Sequence, residues 1–220
     1  MPRIWCTAPN SRQVERGIIE KVIYAFYVAD KIMIPTREQA YDLLRQHNKE
    51  ESHIHHAIAV ENSMRHFAEL YHEDTDLWGV AGLLHDIDWE MTSETPEKHC
   101  HVAPDLLREA GVDENIIHAV QSHGFGICTD AEPVNNLEKT LFTIDELTGL
   151  IITAGLVRPS KSLADLEVKS VKKKWKDKAF ARGVNREVIK QGAERMNMPL
   201  DDVINETIIS LRPVEKEIGM

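Results

Sequence analysis

Ten residues, AGLLHDIDWE from Ala81 to Glu90, set an adjacent imidazole and carboxylate into an otherwise apolar run. Burying His85 beside Asp86 is costly unless another group compensates the two polar side chains. A bound metal cation is the usual compensation at such a place. The pair therefore predicts a metal site.

The other histidines support this prediction. All 11 histidines of the chain lie between His47 and His123, so they concentrate in its first two thirds. Neutral imidazole together with carboxylate suits Mn, Fe, Co, Ni or Zn, whereas an all-oxygen set would indicate Mg or Ca. We expect one or two divalent transition-metal ions as the cofactor.

Composition restricts the class of protein. A chain of 220 residues with 42% hydrophobic residues can bury a sizeable core, which favours one globular domain. The net charge of −10 repels polyanions, so nucleic acid is not an expected partner. No apolar stretch approaches the roughly 20 residues of a membrane span, and the N-terminus has no recognisable export signal. Three cysteines without a close pair in sequence predict a reduced compartment, the cytoplasm, and argue against a disulfide scaffold.

Apolar residues recur every three or four positions along almost the whole chain, and no useful alternating pattern appears, which predicts an all-α fold. Capping residues divide this pattern into helices, with Ser52 expected to begin the third and a polar loop expected over 91–98. The predicted helices cover 14–33, 36–47, a stretch from 52, a stretch from Asp74 or Thr75 to the His-Asp pair, 104–111, 113–123, 136–156, 166–180, 186–196 and 200–211.

One domain boundary is plausible near Pro35. Residues 1–35 are expected to be an N-terminal helical extension that packs on the core or at a subunit interface, so a homo-oligomer is compatible with the sequence. Residues 36–220 are expected to be one domain, with a core over 36–159 and C-terminal helices over 160–220.

The order His56, His85-Asp86, Asp145 resembles the H…HD…D pattern of the HD-domain (HDIG-like) metal-dependent phosphohydrolases. The resemblance covers about residues 36–159, with HHAIAVE around His56 and TIDELTGLI around Asp145. It implies a compact multi-helix bundle with a metal site between helices and these four residues as ligands. It also implies hydrolysis of a small phosphorylated metabolite or nucleotide, a phosphomonoester or a phosphodiester, by a metal-activated water.

The sequence departs from this family in two places. Asp88 and Trp89 follow Ile87, where HDIG motifs often continue with glycine. Ser122-His123 stands where a subgroup that cleaves cyclic dinucleotides has paired histidines, and the GYP motif of that subgroup is absent. Cyclic-dinucleotide cleavage is therefore disfavoured.

The resemblance extends the expected site to further residues. His99 and His123 fall where binuclear members add ligands for a second metal or for phosphate, although partly exposed polar histidines would give the same pattern. His101 competes with His99, which is favoured. Asp86 is expected to orient the attacking water while it binds metal. Asp88, and less specifically Glu90, are near enough in sequence to relay a proton, but solvated loop carboxylates look the same. The other histidines are expected at the surface or with satisfied partners, namely His53, His55, His66, His72 and His118.

Substrate-binding candidates lie in the C-terminal third. A guanidinium matches the geometry of phosphate, which makes Arg182 and Arg186 candidates, with capping and ion-pairing as the alternatives. The lysine run from Lys169 is either a phosphate-gathering face or a solvated helix face.

Two other functions stay open: an HD-type di-iron oxygenase and a non-catalytic, metal-stabilised helical regulator.

Overall fold

Helices make up most of the chain. A computed structural model describes residues 33–177 and 179–220, and in that part of the chain it contains ten α-helices and no β-sheet. This confirms the all-α prediction. The helices are α1 (Arg37–His47), α2 (Glu51–Tyr71), α3 (Thr75–Leu84), α4 (Trp89–Thr92), α5 (Ala103–Glu109), α6 (Glu114–Ser122), α7 (Asn136–Leu156), α8 (Val168–Trp175), α9 (Arg186–Arg195) and α10 (Leu200–Leu211).

Local signals in the sequence explain several of the helix ends. Thr36 and Gln39 form the predicted capping box at the start of α1. The side chain of Asp74 accepts backbone N–H bonds at the start of α3, and Asp113 does so for α6. Gly111 adopts a φ of 75° just after α5, a conformation that glycine adopts without strain.

Two 21-residue helices form the centre of the unit over residues 34–220. Helix α2 packs against α3 and α7, and α7 packs in turn against α9. The approach of α3 to α2 is close: a Cβ added at Gly82 would lie 2.8 Å from Cγ of Met64 and 3.0 Å from Cα of Glu61. Glycine at this position lets the end of α3 lie directly against α2, where the first candidate ligand is located.

Several boundaries differ from the prediction. Helix α2 begins at Glu51, so Ser52 is not its cap. The expected loop over 91–98 includes the end of the short helix α4 and a 3₁₀ turn at Pro96–Lys98. Helix α8 ends at Trp175 rather than Phe180, because the chain beyond it turns and its carbonyls accept bonds from Arg186 instead of continuing the helix.

The predicted helix over 14–33 lies outside the described residues except for its last residue. Residues 34–220 form one compact unit. None of the helices described is both long enough and apolar enough to cross a membrane.

Candidate metal centre

Three helices bring the four predicted core ligands together. His56 lies on α2, His85 and Asp86 follow the last residue of α3, and Asp145 lies on α7. The buried side chain of Asn48 fixes the turn after α3, because its Nδ2 donates to the carbonyl of Ile87 at 2.9 Å and more weakly to that of Asp86 at 3.4 Å. Nothing in the sequence around Asn48 indicated this role, because the partners of its amide lie 38 and 39 residues away.

The first candidate subsite consists of His56, His85, Oδ2 of Asp86, and Asp145. Nε2 of His56 lies 3.2 Å from Nε2 of His85 and 2.9 Å from Oδ1 of Asp145. Nε2 of His85 lies 3.3 Å from Oδ2 of Asp86 and 3.4 Å from Oδ1 of Asp145. Four ligand atoms from three helices thus converge on one point.

The second candidate subsite consists of His99, His123 and the other carboxylate oxygen of Asp86. Nε2 of His99 lies 3.2 Å from Nε2 of His123. Oδ1 of Asp86 lies 3.3 Å from the first of these nitrogens and 3.5 Å from the second. Asp86 therefore stands between the two subsites and offers one oxygen to each.

The spacing of these atoms fits bound cations. Two donors bound about 2.1 Å from one ion lie about 3.0 Å apart at a right angle and about 3.4 Å apart at the tetrahedral angle. The separations within each subsite agree with these values. Groups of three residues that offer ligand atoms within 4.8 Å of one another include His56 with His85 and Asp86, and His85 with His123 and Asp145.

Hydrogen bonds to Nδ1 of three histidine rings orient these rings so that Nε2 points toward the candidate metal centre. Nδ1 of His85 faces the carbonyl of Gly82 at 2.8 Å, and Nδ1 of His123 faces that of Val120 at 2.5 Å. Nδ1 of His99 lies 2.8 Å from Oδ1 of Asp88. A ring that donates from Nδ1 presents its Nε2 lone pair, which is the arrangement of metal-binding histidines.

Charges in the centre reinforce one another. Burial alone would lower the pKa of His85, but the carboxylates of Asp86 and Asp145 raise it well above its usual value. Burial would raise the pKa of both carboxyls, yet the surrounding imidazoles hold them well below their usual values. The centre is therefore built for a balance of positive and negative charge, which a cation can supply in place of protons.

The structure corrects the expected role of Asp88. Its side chain is fully buried, and its oxygens accept bonds from His99 and from the backbone N–H of Ala103 at 2.9 Å. A carboxylate enclosed in this way is not placed to relay a proton to a substrate. Asp88 instead orients His99, as carboxylates behind metal-binding histidines do. Glu90 lies outside both subsites and bonds to His53 and to the start of α2.

A cavity of about 450 Å³ opens onto both subsites. Asp86, His56, His99, His123 and Asp145 contribute to its wall. The rest of the cavity wall is partly apolar. The other residues that line the cavity are His53, Trp89, Gly124, Ile127, Cys128, Glu146, Gly149, Gly183 and Val184.

Two features of this wall were missed from sequence. Glu146, next to Asp145, has a pKa raised to about 7 by burial and by the neighbouring carboxylate, and it accepts the backbone N–H of Asn185 at 2.9 Å. Cys100 and Cys128, which were expected to be separate, both lie beside Gly124. A Cβ added to Gly124 would lie 2.7 Å from Sγ of Cys100 and 2.5 Å from Sγ of Cys128. The spacing of these residues in sequence gave no signal that they meet.

The two arginine candidates have different environments. The guanidinium of Arg186 donates to five backbone carbonyls from Trp175 to Val184, which is a capping role, so its donors face the protein and not a substrate as expected. Arg182 is exposed and precedes the lining residue Gly183, and its substrate role stays a prediction. His101 is exposed and bonds to the carbonyl of Cys128, which agrees with the preference for His99.

The comparison with protein families agrees with this geometry. Residues 53–150 match the HD domain model, a range that contains all six candidate ligands. This part of the chain therefore matches an HD domain, as the resemblance in the sequence implied. No solved structure matches the chain.

Proposed function

We propose that this protein is a metal-dependent phosphohydrolase that acts on a small phosphorylated metabolite or nucleotide. The observation that carries the proposal is the pair of donor sets that share the carboxylate of Asp86, because two adjacent cation sites suit the two sides of a phosphoryl transfer. Divalent ions held there by His56, His85, Asp86, Asp145, His99 and His123 would lower the pKa of a water and screen phosphoryl oxygens. The protein's own groups orient these donors and enclose the substrate beside them. Free thiols at Cys100 and Cys128 suit a reduced compartment such as the cytoplasm.

One observation favours a second candidate. Among the described residues that line the cavity there is no lysine or arginine, although phosphate sites commonly include one. A substrate without a free phosphate would suit such a wall, and imidazole with carboxylate is also a donor set for iron. We therefore retain an HD-type di-iron oxygenase as the alternative.

One experiment separates these functions. The purified full chain is stripped of metal and reloaded separately with Mn²⁺, Co²⁺, Ni²⁺ or Fe²⁺, and phosphate release from a panel of phosphorylated metabolites is measured beside dioxygen consumption. Metal-dependent phosphate release that Asp86→Ala abolishes supports the phosphohydrolase. Dioxygen uptake with Fe²⁺ alone favours the oxygenase, and metal binding without either reaction favours a regulator.

A further inference from the structure

A histidine and a glutamate form a pair at the edge of the same cavity. Nδ1 of His53 lies 3.0 Å from Oε1 of Glu90. The side chain of His53 is 32% exposed, and His53 lines the cavity together with both subsites. His53 precedes His56 by three residues, so the two rings lie on the same face of α2.

Glu90 is held in place by the backbone. Its Oε1 also accepts the N–H groups of Lys49 and Glu50, each at 2.8 Å. Partial burial would raise the pKa of Glu90, but the bonds from Glu50 and Lys49 and the bond from His53 lower it overall. A carboxylate fixed in this way directs the Nδ1–H of its histidine partner and so sets the orientation of the ring.

The other nitrogen of the ring is available. Within residues 33–177 and 179–220, no group forms a hydrogen bond to Nε2 of His53. A ring anchored at Nδ1, open at Nε2 and located in a substrate-sized cavity has the arrangement of a general acid. Trp89, which directly precedes Glu90, is also part of this wall and packs edge-on against the ring of His99.

We propose that His53 donates the proton that the leaving group needs in the hydrolysis, a role that rests on the proposed function. Water adds to phosphorus and the bond from phosphorus to the departing oxygen breaks, with its electron pair going to that oxygen. The oxygen takes the proton from Nε2 of His53. The proton lost by the attacking water passes to solvent, and His53 regains one from solvent.

The alternative role for this pair is purely structural, and the same helix provides a matched control. Nε2 of His66 lies 2.8 Å from Oε2 of Glu206, with both side chains partly exposed as in the first pair. His66 is absent from the cavity wall. His66→Gln therefore removes a similar histidine–glutamate bond from α2 without changing the cavity.

The test compares two aryl phosphates that differ mainly in their leaving groups. The wild-type protein, His53→Gln, Glu90→Gln and His66→Gln are loaded with Mn²⁺ and assayed on p-nitrophenyl phosphate, whose leaving group departs without a proton, and on phenyl phosphate, whose leaving group is poorer. Metal content and circular dichroism verify each variant. If His53→Gln does not fold, Glu90→Gln tests the same proton path and is expected to show the same selectivity.

We expect His53→Gln to lose about 10²- to 10⁴-fold in kcat on phenyl phosphate and far less on p-nitrophenyl phosphate, with His66→Gln close to wild type on both. Equal losses on the two substrates, or no loss, would overturn the role of His53. Wild-type protein that hydrolyses neither ester and no other phosphorylated compound contradicts the proposed function itself. The two failures are therefore distinguishable.

Discussion

Asp88→Asn should weaken the binding of the ion at the second subsite while leaving the first subsite filled. The two carboxylate oxygens of Asp88 face two donors, the ring of His99 at 2.8 Å and the backbone N–H of Ala103 at 2.9 Å. Asparagine has one acceptor oxygen and one NH₂ group, so one of these donors must face another donor. The N–H of Ala103 is fixed by the backbone, and the ring of His99 is the partner that can change.

The change at His99 has a predictable consequence. If Nδ1 accepts a bond from the new amide, the remaining ring proton moves to Nε2, and the lone pair that faces His123 and Asp86 is lost. Groups that orient metal-binding histidines contribute about 10- to 100-fold in metal affinity. We expect a loss of that size at the second subsite, which corresponds to about 1.4 to 2.7 kcal/mol.

Calorimetric titration of the metal-free protein with Mn²⁺, together with metal analysis after dialysis, measures this effect. Wild-type protein should bind two ions, and Asp88→Asn should bind the first with little change and the second more weakly. Asp201→Asn, at an exposed carboxylate paired with Lys172, is the matched control. Two ions bound by Asp88→Asn with unchanged affinity would refute the role assigned to this carboxylate.

Three further predictions concern the same region. His56→Ala should weaken only the first ion, whereas Asp86→Ala, which takes an oxygen from each subsite, should weaken both; equal stoichiometries in the two variants, measured by metal analysis, would contradict the shared carboxylate. The raised pKa of His85 means that the metal-free centre holds a proton that a metal must displace, so metal affinity should fall as pH falls, and titrations in buffers of different ionisation enthalpy should show proton release. Gly124→Ala should lower the free energy of unfolding by about 1 to 3 kcal/mol because its Cβ would overlap two thiols, and denaturant titration measures this loss against Gly183→Ala, where a Cβ meets nothing within 4 Å.

The helices and the four candidate core ligands could be proposed from sequence for a physical reason. Helix periodicity and capping depend on residues a few positions apart. The local sequence therefore indicates where the helices after Thr36, Asp74 and Asp113 begin. A buried His85-Asp86 pair in an apolar run is equally local. The other ligands followed from a resemblance to a known family, which carries information about distant contacts that periodicity lacks.

The features that sequence did not reveal depend on contacts between distant segments. Asp88 looks like a solvated loop carboxylate until the N–H of Ala103, 15 residues later, closes over it. His53 looks like a surface histidine until Glu90, 37 residues away, fixes its ring. The neighbours of these two residues in sequence do not reveal their roles, and only the folded chain distinguishes the residue that orients a candidate ligand from the one that faces the cavity.

Metal binding and the shape of the cavity depend on different parts of the chain. All six candidate ligands lie within residues 53–150, whereas Gly183 and Val184 complete the cavity wall from beyond that range. Two contacts hold that wall: Arg186 binds the carbonyls of the loop before it, and Glu146 accepts the N–H of Asn185. Because Glu146 directly follows Asp145 on α7, the loop is bonded to the helix that carries this candidate ligand. Changes at Val184 should therefore alter which substrate fits while metal affinity stays the same, since the donors themselves do not depend on the loop.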